Sequence, residues 1–203
     1  MHPNLYNPSV SGAKSPEFDP KYPLTSAAAV LWEVFLRSKA FYLNFDAKGP
    51  IREPTVFVLL VSAITGFLSV VANSVFALVL GTGTNLWSVA ALNLAFVALS
   101  PVLVGLAAGA YLLSVRTFVG PEGNFREVYR MLAYAYGAMI LFWVPIVNAF
   151  AFTYATMVLM GLGIQSVYRT SFLTALVTTV AGFIPVSVAF MYFLVTANGF
   201  ISG

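Results

Sequence analysis

The densest ionisable patch in the sequence is "RTFVGPEGNFREVYR", residues 116–130, where Glu122 and Glu127 stand beside Arg126 and Arg130. Carboxylates and guanidinium groups so placed are the raw material of acid–base chemistry or of ion pairing. The patch is expected to be a solvated loop laced with salt bridges, and no acid–base or nucleophile–base pair is expected within the membrane. Glu33 and Arg37 form a second pair, at i, i+4 in the favourable order. The single histidine, His2, lies in the N-terminal segment and is expected to be solvated. The chain has no cysteine, which excludes disulfides, thiol catalysis and cysteine metal sites. "GTGT" at 81–84 has no following lysine, no later glycine and no preceding strand, so it reads as a turn and not a phosphate loop. The expectation is no catalytic, cofactor-binding or metal-ligating residue, no cofactor, and no nucleic-acid partner.

The elements that must carry these few charges are membrane helices. The 203 residues are 60% hydrophobic and only 8% charged, against roughly a quarter charged in soluble domains. The charges fall in residues 14–53, in 116–130 and at Arg169, leaving 54–115, 131–168 and 170–203 with none. Such stretches, set against ~20 apolar residues per span, imply several crossings. The period-two alternation of a membrane barrel is missing, so the fold class is all-α, a polytopic transmembrane helical bundle.

Residues 1–23, with five prolines and no apolar run, are expected to form a disordered cytoplasmic tail without a cleavable signal. Residues 24–203 then form one membrane domain. Within 25–45, Ser26, Glu33, Arg37 and Asn44 share one stripe of an otherwise apolar helix. Three charges argue against a span, because each costs roughly 2.5–3.5 kcal/mol at mid-bilayer. The segment reads as an amphipathic helix, lying on lipid or packed on the bundle.

The run from Met131 to Gly163 poses a topological question. As one helix it would be about 50 Å long, far beyond a ~30 Å hydrocarbon core. Pro145 and Asn148 sit near its centre, where a proline lacking an N–H suits the first turn of a new helix and an amide can serve open backbone groups. A turn at about 143–147, near the outer face, is expected. Five spans follow, about 55–80, 86–114, 126–144, 146–163 and 171–196. With the N-terminus cytoplasmic and the C-terminus outside, all ten Lys and Arg residues fall inside, as the positive-inside rule asks. The location implied is the cell (plasma) membrane.

Within the spans the polar residues form stripes: Ser62, Gly66, Ser69 and Asn73 in the first; Asn93, Ser100 and Tyr111 in the second; Thr174, Thr178, Pro185, Tyr192 and Thr196 in the last. Small and weakly polar side chains are what membrane helices use to pack. A polar cavity is the alternative, and it would make the protein a transporter or channel for a neutral solute or lipid. Gly105 and Gly109 form a G-x-x-x-G on another face, a candidate oligomer contact.

"GNFREVYRMLAYAYGAMILFWVPIVNAF" followed by "LMGLGIQSVYRTSFLTAL" resembles the core of the Yip family, the Ypt/Rab-GTPase-interacting membrane proteins, in its prokaryotic form. The matching positions are Gly123, Tyr134–Ala135, Pro145, Gly161–Leu162 and Arg169, over roughly residues 30–198. The resemblance implies a non-enzymatic, oligomerising membrane protein with a role in membrane organisation or trafficking-like scaffolding. Its partners would be the lipid bilayer and further copies of itself or subunits of a membrane complex. Two departures speak against a small-GTPase partner. The D-L-Y-G-P signature of eukaryotic members is reduced in "DAKGP" to Asp46 and Gly49–Pro50, and Gly137–Ala138 replace a proline common after the "aYa" stretch.

Overall fold

The computed structural model describes residues 15–81 and 85–202, and among these every regular element is a helix. α1 (Pro23–Leu36) and α2 (Ser38–Leu43) precede two long helices, α3 (Arg52–Leu80) and α4 (Leu86–Phe118). Next comes α5 (Phe125–Ala135), continued by a 3₁₀ stretch (Tyr136–Leu141). α6 (Val147–Thr153), a π-helical stretch (Tyr154–Leu159) and α7 (Met160–Val167) form one continuous rod, and α8 (Phe172–Ser202) ends the chain. The boundaries follow local chemistry. Pro23 opens α1 at a position where its missing N–H costs nothing. Gly81, at φ 63°, closes α3 in the left-handed conformation. Asn85 caps α4 by accepting from the amides of Trp87 and Ser88, and Asn124 caps α5 by accepting from that of Arg126.

Four helical segments are long and apolar enough to cross a membrane: Arg52–Val79, Leu86–Phe118, Val147–Val167 and Phe172–Thr196. The chain is thus a multi-pass membrane protein. The third expected span, 126–144, is not among them. It is instead eleven α-helical residues running into a 3₁₀ stretch, carrying Arg126, Glu127 and Arg130, with every residue from Glu127 to Ala135 buried. Enclosed by the protein's own helices, this segment has no need of the lipid-facing apolar surface that marks an ordinary span.

α5 and its 3₁₀ extension run parallel to α3 in a fixed register. The Thr55 and Tyr129 hydroxyls meet at 2.9 Å, those of Ser62 and Tyr136 at 2.8 Å, and Thr65 Oγ1 donates to the Met139 carbonyl at 3.0 Å. Each pair is separated by 74 positions. Three hydrogen bonds in one register hold two elements side by side without strain in either.

The helical path then breaks. Phe142 N–H donates to Met139 O, Val144 N–H to Leu141 O, and Asn148 N–H to Val144 O. Pro145 has no amide to satisfy, and Asn148 Oδ1 accepts from the amide of Ala149 at 2.7 Å. Ile146 bends the chain at φ 72°, a region costly for a β-branched residue. Strain of this kind is worth roughly 1–3 kcal/mol, and glycine's extra backbone entropy costs roughly 0.5–1. Ile146→Gly is therefore expected to stabilise the fold by about 1 kcal/mol, read as a rise in the thermal midpoint in detergent. A fall would show that the turn is not held at positive φ.

The segment expected to be one amphipathic helix is two helices meeting at Arg37. Ala27, Val30, Val34, Phe41 and Tyr42 face inward, against α5, its 3₁₀ extension and α7. Leu24, Trp32, Leu36 and Leu43 are exposed. Most of the expected tail (1–14) lies outside the described residues, but its last stretch is packed. Ser15 and Phe18 are buried, and Ser15 Oγ donates to the Phe41 carbonyl at 2.7 Å.

Candidate functional site: a buried arginine latch

Arg130 is the largest fully buried side chain, with no exposed surface. The expectation of a solvated loop therefore fails at this residue. Asn124 fixes the start of α5, and the second helical turn aims Arg130 at the stretch joining α2 to α3. Its Nε donates to the Asp46 carbonyl at 3.0 Å, Nη1 donates to the Pro50 carbonyl, and Nη2 pairs with Glu17 Oε2 at 2.9 Å. The guanidinium lies 5.3 Å from the Phe45 ring centroid and 6.0 Å from that of Tyr134. A planar fork with fixed donors can hold three acceptors in three directions, which an ammonium cannot.

The surroundings are shaped for it. A Cβ on Gly49 would stand 2.7 Å from Arg130 Cζ, so only glycine lets the backbone pass. Phe18, Phe41, Phe45, Phe57 and Tyr134 form a network of ring contacts around the cation, with centroids 5.5–5.8 Å apart. Tyr42, with its hydroxyl on the Met131 carbonyl at 3.3 Å, closes one side, and burial pushes its phenol well above the usual tyrosine range. The latch ties residues 15–18, residues 46–50 and α5 into one body. What this geometry does is hold three segments of the chain in fixed positions.

The polar stripes do not converge. Asn73 donates to Ser69 O, Asn93 to Val89 O and Thr178 to Thr174 O, each one turn back on its own helix. Ser69 only supplies the carbonyl that Asn73 uses. Ser62 reaches across to Tyr136. Thr174 bonds Ser171, and Tyr192 is exposed. Gly66 lets α3 approach Asn93 and Val97 of α4. Tyr111 is fully buried, donates to the Thr156 carbonyl, and lies flat on Gly182. Gly109 faces open space, and Gly105 has only the edge of Tyr129 beside it.

A cavity of about 240 Å³ does open between α4, the 3₁₀ stretch, α6 and α8, but its walls are apolar: Phe96, Leu103, Met139, Phe152, Phe190 and Phe193. Of the stripe residues only Ser100 and Pro185 touch it. It is not lined by Asn73, Asn93, Tyr111, Thr178 and Tyr192, as a polar solute path would require.

Sequence reasoning missed the latch because an arginine next to glutamates reads as surface. The signal that could have found it is the Asp46/Gly49–Pro50 remnant: those residues supply the two carbonyls and the bare Cα that Arg130 needs. Among the described residues no group of three His, Asp or Glu side chains is placed to hold a metal. No curated protein and no solved structure matches the chain. The Yip1 domain matches residues 32–196, a stretch that begins in α1, includes the "DAKGP" connector and Arg130, and ends in α8. The chain belongs to the Yip1-domain family.

Proposed function

We propose that this protein is a non-enzymatic organiser of the plasma membrane that works as an oligomer. Its N-terminus is cytoplasmic and its C-terminus outside, with an odd number of crossings between them. The carrying observation is the open face of α4: Gly109 has no atom within 4 Å of where a Cβ would stand, and Leu103, Leu106 and Leu113 nearby are exposed. The open Gly109 end of the G-x-x-x-G lets a second backbone approach closely. The partner this face suits is another copy of the chain rather than a small GTPase.

The test is the mass of the purified protein in mild detergent and in nanodiscs. A dimer or larger assembly is expected, and Gly109→Leu is expected to weaken it at least tenfold without lowering the thermal midpoint by more than a few degrees, because no neighbour within the chain stands within 4 Å of a Cβ at Gly109. A strict monomer in both media would end the proposal.

A further inference from the structure

The fixed register between α3 and α5 makes α3 a ruler for depth. Met139 lies level with Thr65, so the end of the 3₁₀ stretch at Leu141 lies near the level of Phe67. Beyond Phe67, α3 continues to Leu80 for about 20 Å at ~1.5 Å per residue. This upper part is uncharged and bare. Val71, Val75, Phe76 and Val79 are exposed, as is Leu78 at 85%, and on α4 so are Leu94 and, at 87%, Trp87. Such a surface needs hydrocarbon around it, and a tryptophan at its end suits the membrane interface.

The other edge of the hydrocarbon is marked by α1. Leu31 packs on Gly137, and the Phe35 ring stacks on Tyr154 at 6.1 Å. Between these contacts Glu33 pairs with Arg37 at 3.6 Å, and the Arg37 side chain is 68% exposed. An exposed ion pair belongs in headgroups or water. From Gly137 to Leu141 the 3₁₀ rise of ~2.0 Å per residue gives only about 8 Å. The turn at 142–146 is thus about 10 Å from the level of the ion pair and about 20 Å from the end of α3, and the two sum to a ~30 Å hydrocarbon core.

We infer that α5 and α6–α7 form a re-entrant hairpin, entering the bilayer at the end of the bundle where the charges lie and turning back about a third of the way across the hydrocarbon. Only α3, α4 and α8 cross completely. The turn expected near the outer face lies inside the hydrocarbon, in the leaflet of the charged end. Irregular backbone at that depth is costly unless its polar groups are served; in the turn the amides of Phe142, Val144, Asn148 and Ala149 have acceptors and Pro145 has no amide, which leaves those of Trp143, Ile146 and Val147 as the cost of the turn. Ile146 and Phe150, both strongly exposed, then touch acyl chains. A hairpin of this depth displaces lipid in one leaflet alone, which gives the organising role a physical means. That consequence rests on the proposed function; the depth does not.

The absence of native cysteine makes the test direct. Single variants Glu122→Cys, Thr84→Cys and Ile146→Cys are made in the full chain, with Phe150→Cys as a second probe of the hairpin. A membrane-impermeant maleimide is expected to label Glu122→Cys from one side and Thr84→Cys from the other. Ile146→Cys and Phe150→Cys should be labelled from neither side until detergent is added. A bimane on Ile146→Cys should be quenched more strongly by lipids spin-labelled deep in the chain than by those labelled near the headgroup. Labelling of Ile146→Cys together with Thr84→Cys would mean a full crossing and overturn the inference; labelling together with Glu122→Cys would mean no insertion and also overturn it. Neither result bears on the oligomer measured above, so the two readings can fail separately.

Discussion

Arg130→Ala is expected to lower the thermal midpoint by roughly 6–20 °C, the largest loss of any single substitution in the chain. The estimate combines ~3–5 kcal/mol for breaking a buried ion pair from one side with ~2–4 °C per kcal/mol for a chain of this size. The loss has two parts. Glu17, 16% exposed, loses the Arg130 guanidinium, the Pro50 carbonyl loses its donor, and the Asp46 carbonyl keeps only the Gly49 amide. Arg130→Lys tests the second part. It keeps the charge but offers one point where three acceptors diverge, so it should recover less than half of the loss. A double replacement, Glu17→Met with Arg130→Met, removes the ion pair as a whole but leaves the Pro50 carbonyl without its donor and the Asp46 carbonyl with the Gly49 amide alone, so it should stay below the parent. This matters because exchanging a buried pair for apolar groups is often neutral; here the backbone acceptors decide against it. The readout is tryptophan fluorescence on heating in mild detergent. An Arg130→Ala midpoint within about 2 °C of the parent would show that the latch carries no stability.

What the sequence disclosed, and what it hid, divides along one physical line. Long runs without charge mark α3, α4 and α8 directly, because lipid-facing helices must be apolar on nearly every side. The break around Pro145 was also legible, since length forbids one helix and a residue without an N–H breaks the ladder. α5 was read as the start of a span at 126–144, and what stayed hidden is that it faces protein, not lipid, on nearly every side. Glu127 and Arg130 in its first turns then resemble loop residues, and nothing local says that Arg130 points at a connector 80 positions earlier. The polar stripes illustrate how little alignment on a face says about a cavity. Asn73, Asn93 and Thr178 satisfy themselves one turn back on their own helices, so alignment on a face did not imply a shared cavity. Depth could not be read from periodicity at all; it required the hydrogen-bond register between α3 and α5.

Gly182→Val is the second substitution expected to act strongly, through packing instead of charge. A Cβ at this position would strike Tyr111 Cδ1 and stand 2.7 Å from Cε1 and 2.9 Å from Cγ. The ring cannot retreat: Tyr111 has no exposed surface and its hydroxyl is bound to the Thr156 carbonyl. Two terms compete. Leaving glycine behind in a helix is worth several tenths of a kcal/mol in propensity. Overpacking a close contact costs ~1–3 kcal/mol, and more if the hydrogen bond breaks with it. The packing term wins, and the expected result is a net loss of about 2 kcal/mol, with α8 displaced from α4. The control is Gly109→Val on α4, where the same added atoms meet nothing within 4 Å of the Cβ; its effect on the folded chain should stay within about 0.5 kcal/mol. Pairing Gly182→Val with Tyr111→Ala separates overpacking from any intrinsic defect of valine. If the ring is what the new side chain strikes, the double variant should lose about 1–3 kcal/mol less than the sum of the singles, measured as coupling in the unfolding cycle. Additive losses would mean that α4 and α8 are not joined at Tyr111, and the close approach that glycine permits there would no longer explain how the last helix is held.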